Sequence, residues 1–360
     1  MLGRRDNRVP LPSDPRDRII ANILKAVFKG DVNASSDPPP RSLTICTARH
    51  CHYPHNGPSN GLYNITGLSF DTLGIETIAA VHESCCNQYS MTICLEKIWN
   101  VPNSLFSSSA IKRLHINHAH FTASEIPGRC PPLPSVVTLE VQEALSFVPA
   151  CYYGRENEHT APIAQVKYWL RDQEEYGGLS RIGKAATTLE VIVHEYLDVP
   201  FATVDYIQSN VLQCLRIQRE YNQSYLYHHT EHTRPPVLDD SFQPFFLGML
   251  HLLPSVPPPV LDLKIRVFHR YHYLQETICD GIDDVYSRIY HSSLVQWLEN
   301  RCSLTGTQAT ITFDIRFLFF VANDYDPSIF QETCEPYMRK LFAVLDKMEG
   351  VKLVIKVSGS

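Results

Sequence analysis

The chain has 360 residues, of which 44% are hydrophobic, so it is long enough to bury a substantial apolar core. A net charge of -6 argues against nucleic-acid and anionic-membrane partners, because either would require a cluster of basic residues, and none occurs. The scattered cysteines, the charged first residues and the lack of a long apolar run predict a cytoplasmic or nuclear protein with reduced thiols.

The first predicted element is a helix over residues 16–28, because apolar residues recur there at helical spacing. The proline-rich stretch S-S-D-P-P-P-R (35–41) follows this helix and indicates a linker. The sequence therefore predicts two parts. Residues 1–40 hold the helix and the linker, and residues 41–360 form the main domain.

One apolar spacing recurs throughout the main domain. Its clearest copy is I-K-R-L-H-I-N-H-A-H-F (111–121), which fits L-x-x-L-x-L-x-x-(small)-x-L. The copies follow one another at steps of about 25 residues as far as Ile217, and one unmatched turn then precedes each of Leu263 and Phe313. Their central apolar pairs are Leu43/Ile45, Leu68/Phe70, Ile93/Leu95, Leu114/Ile116, Leu139/Val141, Val166/Tyr168, Leu189/Val191, Leu215/Ile217, Leu263/Ile265, Phe313/Ile315 and Leu353/Ile355. A constant step is typical of a solenoid, because each turn stacks in register on the previous one.

Helical patterns lie between several of these copies. Residues 72–85, 283–302 and 337–348 each present apolar side chains at helical spacing, and Gly350 is placed to end the last of them. The same spacing also assigns Val260 and Phe268 to the core beside Leu263 and Ile265. Strands thus alternate with helices, as a repeat unit requires.

This pattern resembles that of leucine-rich-repeat proteins of the 20–29-residue class. The stretches S-L-F-S-S-S-A-I-K-R-L-H-I and P-P-L-P-S-V-V-T-L-E-V are similar to the divergent F-box-type members of mushroom-forming fungi. The resemblance covers residues 41–357 and implies an α/β solenoid, a horseshoe with a parallel concave sheet and helices or loops on the convex side. It also implies a substrate-recognition subunit of a ubiquitin ligase, but only the first helix of an F-box, preceded by L-P-S-D-P, has a counterpart.

Strand alternation predicts which side chains line the concave face, because the neighbours of each buried apolar pair point the other way. Arginine and tryptophan are favoured interface anchors, so this face predicts a protein-interaction module with a protein partner. No catalytic residue, metal or cofactor is predicted. The candidate binding residues are Arg113, His115, Asn117, Glu140, Gln142, Lys167, Trp169, Glu190, Arg216, Gln218, Lys264 and Arg266.

Three histidines in residues 111–121 raise the possibility of a metal site. Alternation places His115 on the concave face, whereas His118 and His120 are predicted on the turn after the strand. Side chains divided between two surfaces cannot surround one ion.

The alternative function is a zinc-dependent hydrolase built on H-H-T-E-H (228–232). This stretch fits the H-x-x-E-H pattern, in which His228 and His232 would bind zinc and Glu231 would deprotonate the zinc-bound water. The following T-R-P-P prevents the helix that this geometry needs from continuing. A polar loop is therefore the favoured interpretation.

Two further motifs are weaker. C-T-A-R-H-C-H-Y-P-H (46–55) offers thiol and imidazole groups but lacks the second ligand pair of a structural zinc site. G-L-S-R-I-G-K-A (178–185) ends in Ala185 where a phosphate-binding loop needs serine or threonine, and a β-branched stretch follows instead of a helix. Gly177 and Gly178 are predicted to form a turn.

Metal analysis of the purified protein separates the two functional classes. We expect zinc well below one equivalent, with no change in a His228→Ala variant, because no helix supports the ligand pair. Stoichiometric zinc that disappears in His228→Ala would instead establish the hydrolase alternative.

Overall fold

A computed structural model describes the regular elements of the chain and the segments next to them. The described residues fall in two compact units, Met1–Ala161 and Pro162–Ser360. They are residues 15–28, 41–46, 68–86, 91–102, 105, 111–121, 136–142, 163–170, 175–194, 207, 211–224, 252–271, 295–296, 298–300, 306–319, 332, 335–336, 339–340 and 342–359.

The described part of the first unit is a parallel sheet with two helices. The strands lie in the order β1, β3, β4 and β5, and every pairing is parallel. The elements in chain order are α1 (Pro15–Phe28), β1 (Arg41–Cys46), β2 (Leu68–Ser69), a 3-10 turn (Phe70–Thr72), α2 (Ile75–Cys86), β3 (Met91–Val101), β4 (Ile111–Phe121) and β5 (Thr138–Gln142).

The second unit also contains a parallel sheet, in which neighbouring strands follow chain order from β6 to β11. Its described elements are β6 (Ile163–Leu170), α3 (Glu175–Gly183), β7 (Ala186–Val193), β8 (Cys214–Ser224), β9 (Val260–Tyr271), β10 (Gln308–Phe319), α4 (Ala343–Lys347) and β11 (Val351–Gly359). Parallel neighbours require long return connections, which explains the spacing of the strands along the chain. The α/β class with parallel strands is therefore as predicted.

Most of the predicted apolar pairs lie in the core of their unit, although Ile45 of the pair Leu43/Ile45 is only partly buried and one further pair departs from the pattern. Leu95, Ile116 and Val141 stand side by side in adjacent strands and are 0–2% exposed. In the second unit, Val191 and Ile217 do the same and are fully buried. Equal register continues these rows from strand to strand, although the buried Arg219 of β8 interrupts one of them. Burial of the apolar side chains is the largest favourable contribution to folding.

The further pair is Leu68/Phe70, which does not form a full strand. Leu68 and Ser69 pair only with Ile98 and Trp99 near the end of β3, while β1 pairs with the preceding part of the same strand. Phe70 begins the 3-10 turn and is 2% exposed. Its side chain is buried as the spacing predicts, but the backbone turns into α2 instead of adding a strand between β1 and β3.

Two residues with a left-handed backbone conformation explain the second three-residue step of the motif, which follows its central apolar pair. Lys97 and His118 have φ angles of 52° and 51° and occupy equivalent places in β3 and β4. After each of them the alternation shifts by one, so that Ile98 and Ala119 return to the core. His118 and His120 consequently lie within β4, so their predicted position on a following turn is wrong.

The later strands lack this shift. In β9, Leu261 and Val267 are fully buried, whereas Val260 is 44% exposed. Phe268 lies beside Arg316 on the other face. The predicted core positions of Val260 and Phe268 are therefore wrong, because β9 alternates without interruption.

Gly177 and Gly178 belong to α3, so the predicted turn at these residues is also wrong. A Cβ atom on Gly178 would lie 2.6 Å from the hydroxyl oxygen of Tyr168, so the glycine allows α3 to pack closely on β6. Strand β7 follows at Ala186, as expected for a stretch that cannot form a phosphate-binding loop.

The other predicted helices agree with the structure at most described positions, although Leu73, Gly74 and Phe342 lie outside helices. Helix α2 covers most of residues 72–85, and residues 295–296, 298–300, 335–336 and 339–340 are helical. Phe342, just before α4, stacks on Phe313 of β10 with ring centroids 4.2 Å apart, and Gly350 then ends this region with a φ of 77°. None of the described helices combines the length and apolar character needed to cross a bilayer.

Helix α1 contributes a carboxylate to the start of α2. Asp17 is 7% exposed and accepts hydrogen bonds from the main-chain N–H groups of Glu76 and Thr77, at 3.1 and 2.9 Å. Gly74 makes room for it, because a Cβ atom there would overlap the carboxylate. The Thr77 side chain, followed by these two amides, lowers the pKa of Asp17 below its ordinary 3.8, although burial acts in the opposite direction.

Replacing Asp17 with asparagine should reduce stability in a pH-dependent way. A carboxylate with a lowered folded-state pKa stabilises the fold above the ordinary value of 3.8 and loses that effect as the pH falls through the lowered pKa. We therefore expect chemical denaturation to show wild type more stable than Asp17→Asn at neutral pH, with the difference shrinking toward about pH 3. The exposed Glu83→Gln is the control, and an Asp17→Asn difference that is equal at both pH values would contradict this account.

Candidate functional site

The candidate site is the set of side chains that alternate with the buried rows, which we call the polar face of each unit. In the first unit, Cys94, His115 and Glu140 stand in one row across β3, β4 and β5. The next row contains Glu96, Asn117 and Gln142. The parallel register forms these rows, because residues at equal heights in neighbouring strands lie about 4.8 Å apart.

His115 and Glu140 are in direct polar contact on this face. Their Nδ1 and Oε2 atoms are 2.8 Å apart, and the two side chains are about one-third exposed. Cys94 lies next to His115, which raises the question of a cysteine nucleophile activated by a histidine. Burial, followed by the charge of Glu96, raises the pKa of the Cys94 thiol, so the environment disfavours the thiolate that such chemistry needs.

The polar face of the second unit carries alternating charges. One row follows the strands from β6 to β11 and contains Lys167, Glu190, Arg216, Asp262, Thr310 and Lys352. The next row contains Trp169, Ile192, Gln218, Lys264, Thr312 and Val354. Opposite charges on neighbouring strands stabilise the pairing modestly.

Arg266 joins two acidic side chains from different strands. Its Nη1 donates to Glu220 Oε1 at 2.7 Å, and its Nε lies 3.5 Å from Asp314 Oδ2. Arg316 approaches the other oxygen of Asp314 at 3.3 Å. Because the Asp314 side chain is only 11% exposed, these two arginines compensate a carboxylate that is largely removed from water.

The remaining contacts on this face are more exposed. Arg216 and Asp262 approach to 4.0 Å with side chains 54% and 40% exposed. The Lys167 ammonium lies 4.7 Å from the centre of the Trp169 ring, a cation–π contact that holds the indole against β6. Trp169 is half-buried, so it offers apolar area while remaining accessible.

All twelve predicted binding residues lie on the polar faces, and none is fully buried. The structure brings His115 to Glu140, Lys167 to Trp169 and Arg216 close to Asp262. The residues that sequence reasoning missed occupy further outward-facing positions in the uninterrupted alternation of β8, β10 and β11. They are Glu220, Asp314, Arg316, Lys352 and Lys356.

The alternative motifs fall mainly outside the described residues. Residues 228–232, with the predicted zinc ligands of a hydrolase, and residues 50–55 are not among them. Cys46 is described and ends β1 as an exposed free thiol. Where the structure describes side chains, no three His, Cys, Asp or Glu residues come together as metal ligands.

Comparison with protein-family models, curated proteins and solved structures gives no match to this chain.

Removing Arg266 should destabilise the second unit more than removing Arg216. Arg266→Ala leaves Asp314 with Arg316 alone and removes the close contact of Glu220, so the free energy of unfolding should fall by about 1–3 kcal/mol. Arg216→Ala breaks an exposed contact and should cost less than about 1 kcal/mol. Urea denaturation of both variants measures the difference, and equal losses would show that the Arg266 network adds nothing beyond an ordinary surface pair.

Proposed function

We propose that the chain is a leucine-rich-repeat solenoid that binds a protein partner through its polar faces and has no catalysis of its own. The observation that carries this proposal is the separation of side chains on the strands. In each unit, one side of the parallel strands forms the core, which is apolar apart from Arg219 in the second unit, and the other side presents mainly polar residues in straight rows. Solenoid proteins use such an extended sheet surface for recognition.

Two further features support the repeat interpretation, and a third supports a binding role for the polar faces. Helices α2, α3 and α4 each lie between successive parallel strands, as in a strand–helix repeat. The left-handed residues Lys97 and His118 occur at the same place in neighbouring strands. The rows mix both charge signs with Trp169 and several arginines, a composition suited to a specific interface.

A role as a substrate-recognition subunit of a ubiquitin ligase is a second proposal. It rests on the resemblance of the first helix to the opening of an F-box and on the surface of α1. Ile19, Ile20 and Ile23 are 58%, 47% and 56% exposed on this helix. An apolar helix face of this kind favours docking of an adaptor protein.

Partner capture with matched variants tests the main proposal. We expect the amount of a co-purifying partner protein to be at least about tenfold lower with a Lys167→Glu, Arg216→Glu variant than with wild type. Both changes reverse a charge on the polar face. A Lys340→Glu, Lys347→Glu variant makes the same charge change at exposed helical residues and should retain the partner. Quantitative mass spectrometry of the captured proteins gives the readout.

The outcomes are distinct. Equal capture by all three proteins would overturn the polar face as the binding surface. Loss from both variants would attribute binding to overall charge. An Ile19→Asp, Ile23→Asp variant in the same capture separates the adaptor role, because it should release a ligase adaptor and keep the polar-face partner.

A further inference from the structure

The charges on the polar face of the second unit are not balanced. Among the side chains that the structure describes, this face carries seven basic and four acidic residues, an excess of three positive charges, on a chain whose net charge is -6. The acidic residues are Glu190, Glu220, Asp262 and Asp314. The basic residues are Lys167, Arg216, Lys264, Arg266, Arg316, Lys352 and Lys356.

The three arginines of this face contact carboxylates, whereas three of its lysines do not. Arg216, Arg266 and Arg316 each approach a carboxylate, and Lys167 lies on Trp169 beside Glu190. Within the described residues, Lys264, Lys352 and Lys356 form no ion pair. The excess positive charge is thus concentrated in these three side chains on β9 and β11.

The three lysines form a triangle around uncharged residues. Lys264 pairs in register with Thr312, and Thr312 pairs with Val354, which lies midway between Lys352 and Lys356. Strand geometry puts Lys352 and Lys356 about 13 Å apart and Lys264 about 10 Å from β11. Thr312 and Val354, both half-buried, lie inside the triangle. Asp314 is the register partner of Lys356, but its carboxylate is held by Arg266 and Arg316.

Protection of a sheet edge does not account for the whole triangle. Lysines on an exposed edge strand prevent unwanted pairing with other chains, and β11 is the last strand in the described order of this sheet. Lys264 lies two strands further in, where both sides of β9 are already paired. Its unpaired charge therefore needs another explanation.

We propose that Lys264, Lys352 and Lys356 dock an acidic, extended segment of a partner protein. This inference rests on the proposed function and names the chemistry of the partner. Alternate side chains of an extended segment are about 6.6 Å apart, so carboxylates at positions i and i+4 match Lys352 and Lys356, and the one at i+2 lies between them, level with Lys264 across β10. Nucleic acid fits less well, because it needs a longer basic stripe and Asp262 and Asp314 border the triangle.

A direct binding measurement on the full chain tests the proposal. The probe is a fluorescent peptide of alternating glutamate and serine, followed by anisotropy at low ionic strength. We expect binding by wild type that weakens as salt is added, and at least about tenfold weaker binding by Lys264→Gln, Lys352→Gln, Lys356→Gln. The matched control is Lys25→Gln, Lys340→Gln, Lys347→Gln, which removes the same charge elsewhere and should bind as wild type does.

Several results would overturn the proposal. The first is equal binding of the acidic peptide by wild type and the triangle variant. The second is a loss of binding in the control variant as large as that in the triangle variant. The third is binding of an alternating glutamine and serine peptide as tight as binding of the acidic peptide. Tighter binding of a single-stranded oligonucleotide of equal charge, or of anionic lipid vesicles, would assign the triangle to that ligand instead.

The triangle variant is also carried through the partner capture described above. If it retains a partner that the Lys167→Glu, Arg216→Glu variant loses, the polar face binds a protein but the acidic-segment inference is wrong. If no variant changes the capture, the proposed function itself fails.

Discussion

The structure depends on parallel pairing in constant register. Once neighbouring strands pair at equal heights, the buried side chains continue rows that are apolar apart from Arg219, and the outward-facing ones continue the polar rows. A slip of one residue would turn Leu215 and Ile217 outward and bury Arg216, so the register is held by the whole core at once. The same constraint that stabilises the fold therefore also creates the surface on which function is proposed.

Much of the fold follows from local alternation. The apolar pairs of ten strands could be read from the sequence, because burial on one side of a strand requires a period of two. The errors occur where backbone geometry changed that period. The motif assumes a three-residue step on each side of its central pair, and the second step passes through a left-handed residue in β3 and β4. Strand β9 alternates without either step, so Leu261 and Val267 replace the expected core residues. Leu68 shows the opposite case. It matches the motif, yet it belongs only to the short strand β2, which pairs with the end of β3 and runs into a turn.

The candidate site was less accessible to sequence reasoning. Alternation identifies which side chains face outward, yet it does not reveal which of them meet. Arg266 contacts Glu220 and Asp314, residues that lie 46 positions before it and on the following strand, and only the register brings them together. The unpaired lysines could not be identified from the sequence, because a count of charges does not distinguish side chains in ion pairs from those outside them.

The contact between Asp17 and α2 has a practical consequence. The proline-rich stretch before β1 looks like a natural place to shorten the chain for expression. Cutting there would remove the carboxylate that caps α2 and leave the space above Gly74 empty, although the contact spans about 60 positions. A shortened version intended to preserve the first unit should therefore begin upstream of Pro15, with α1 intact.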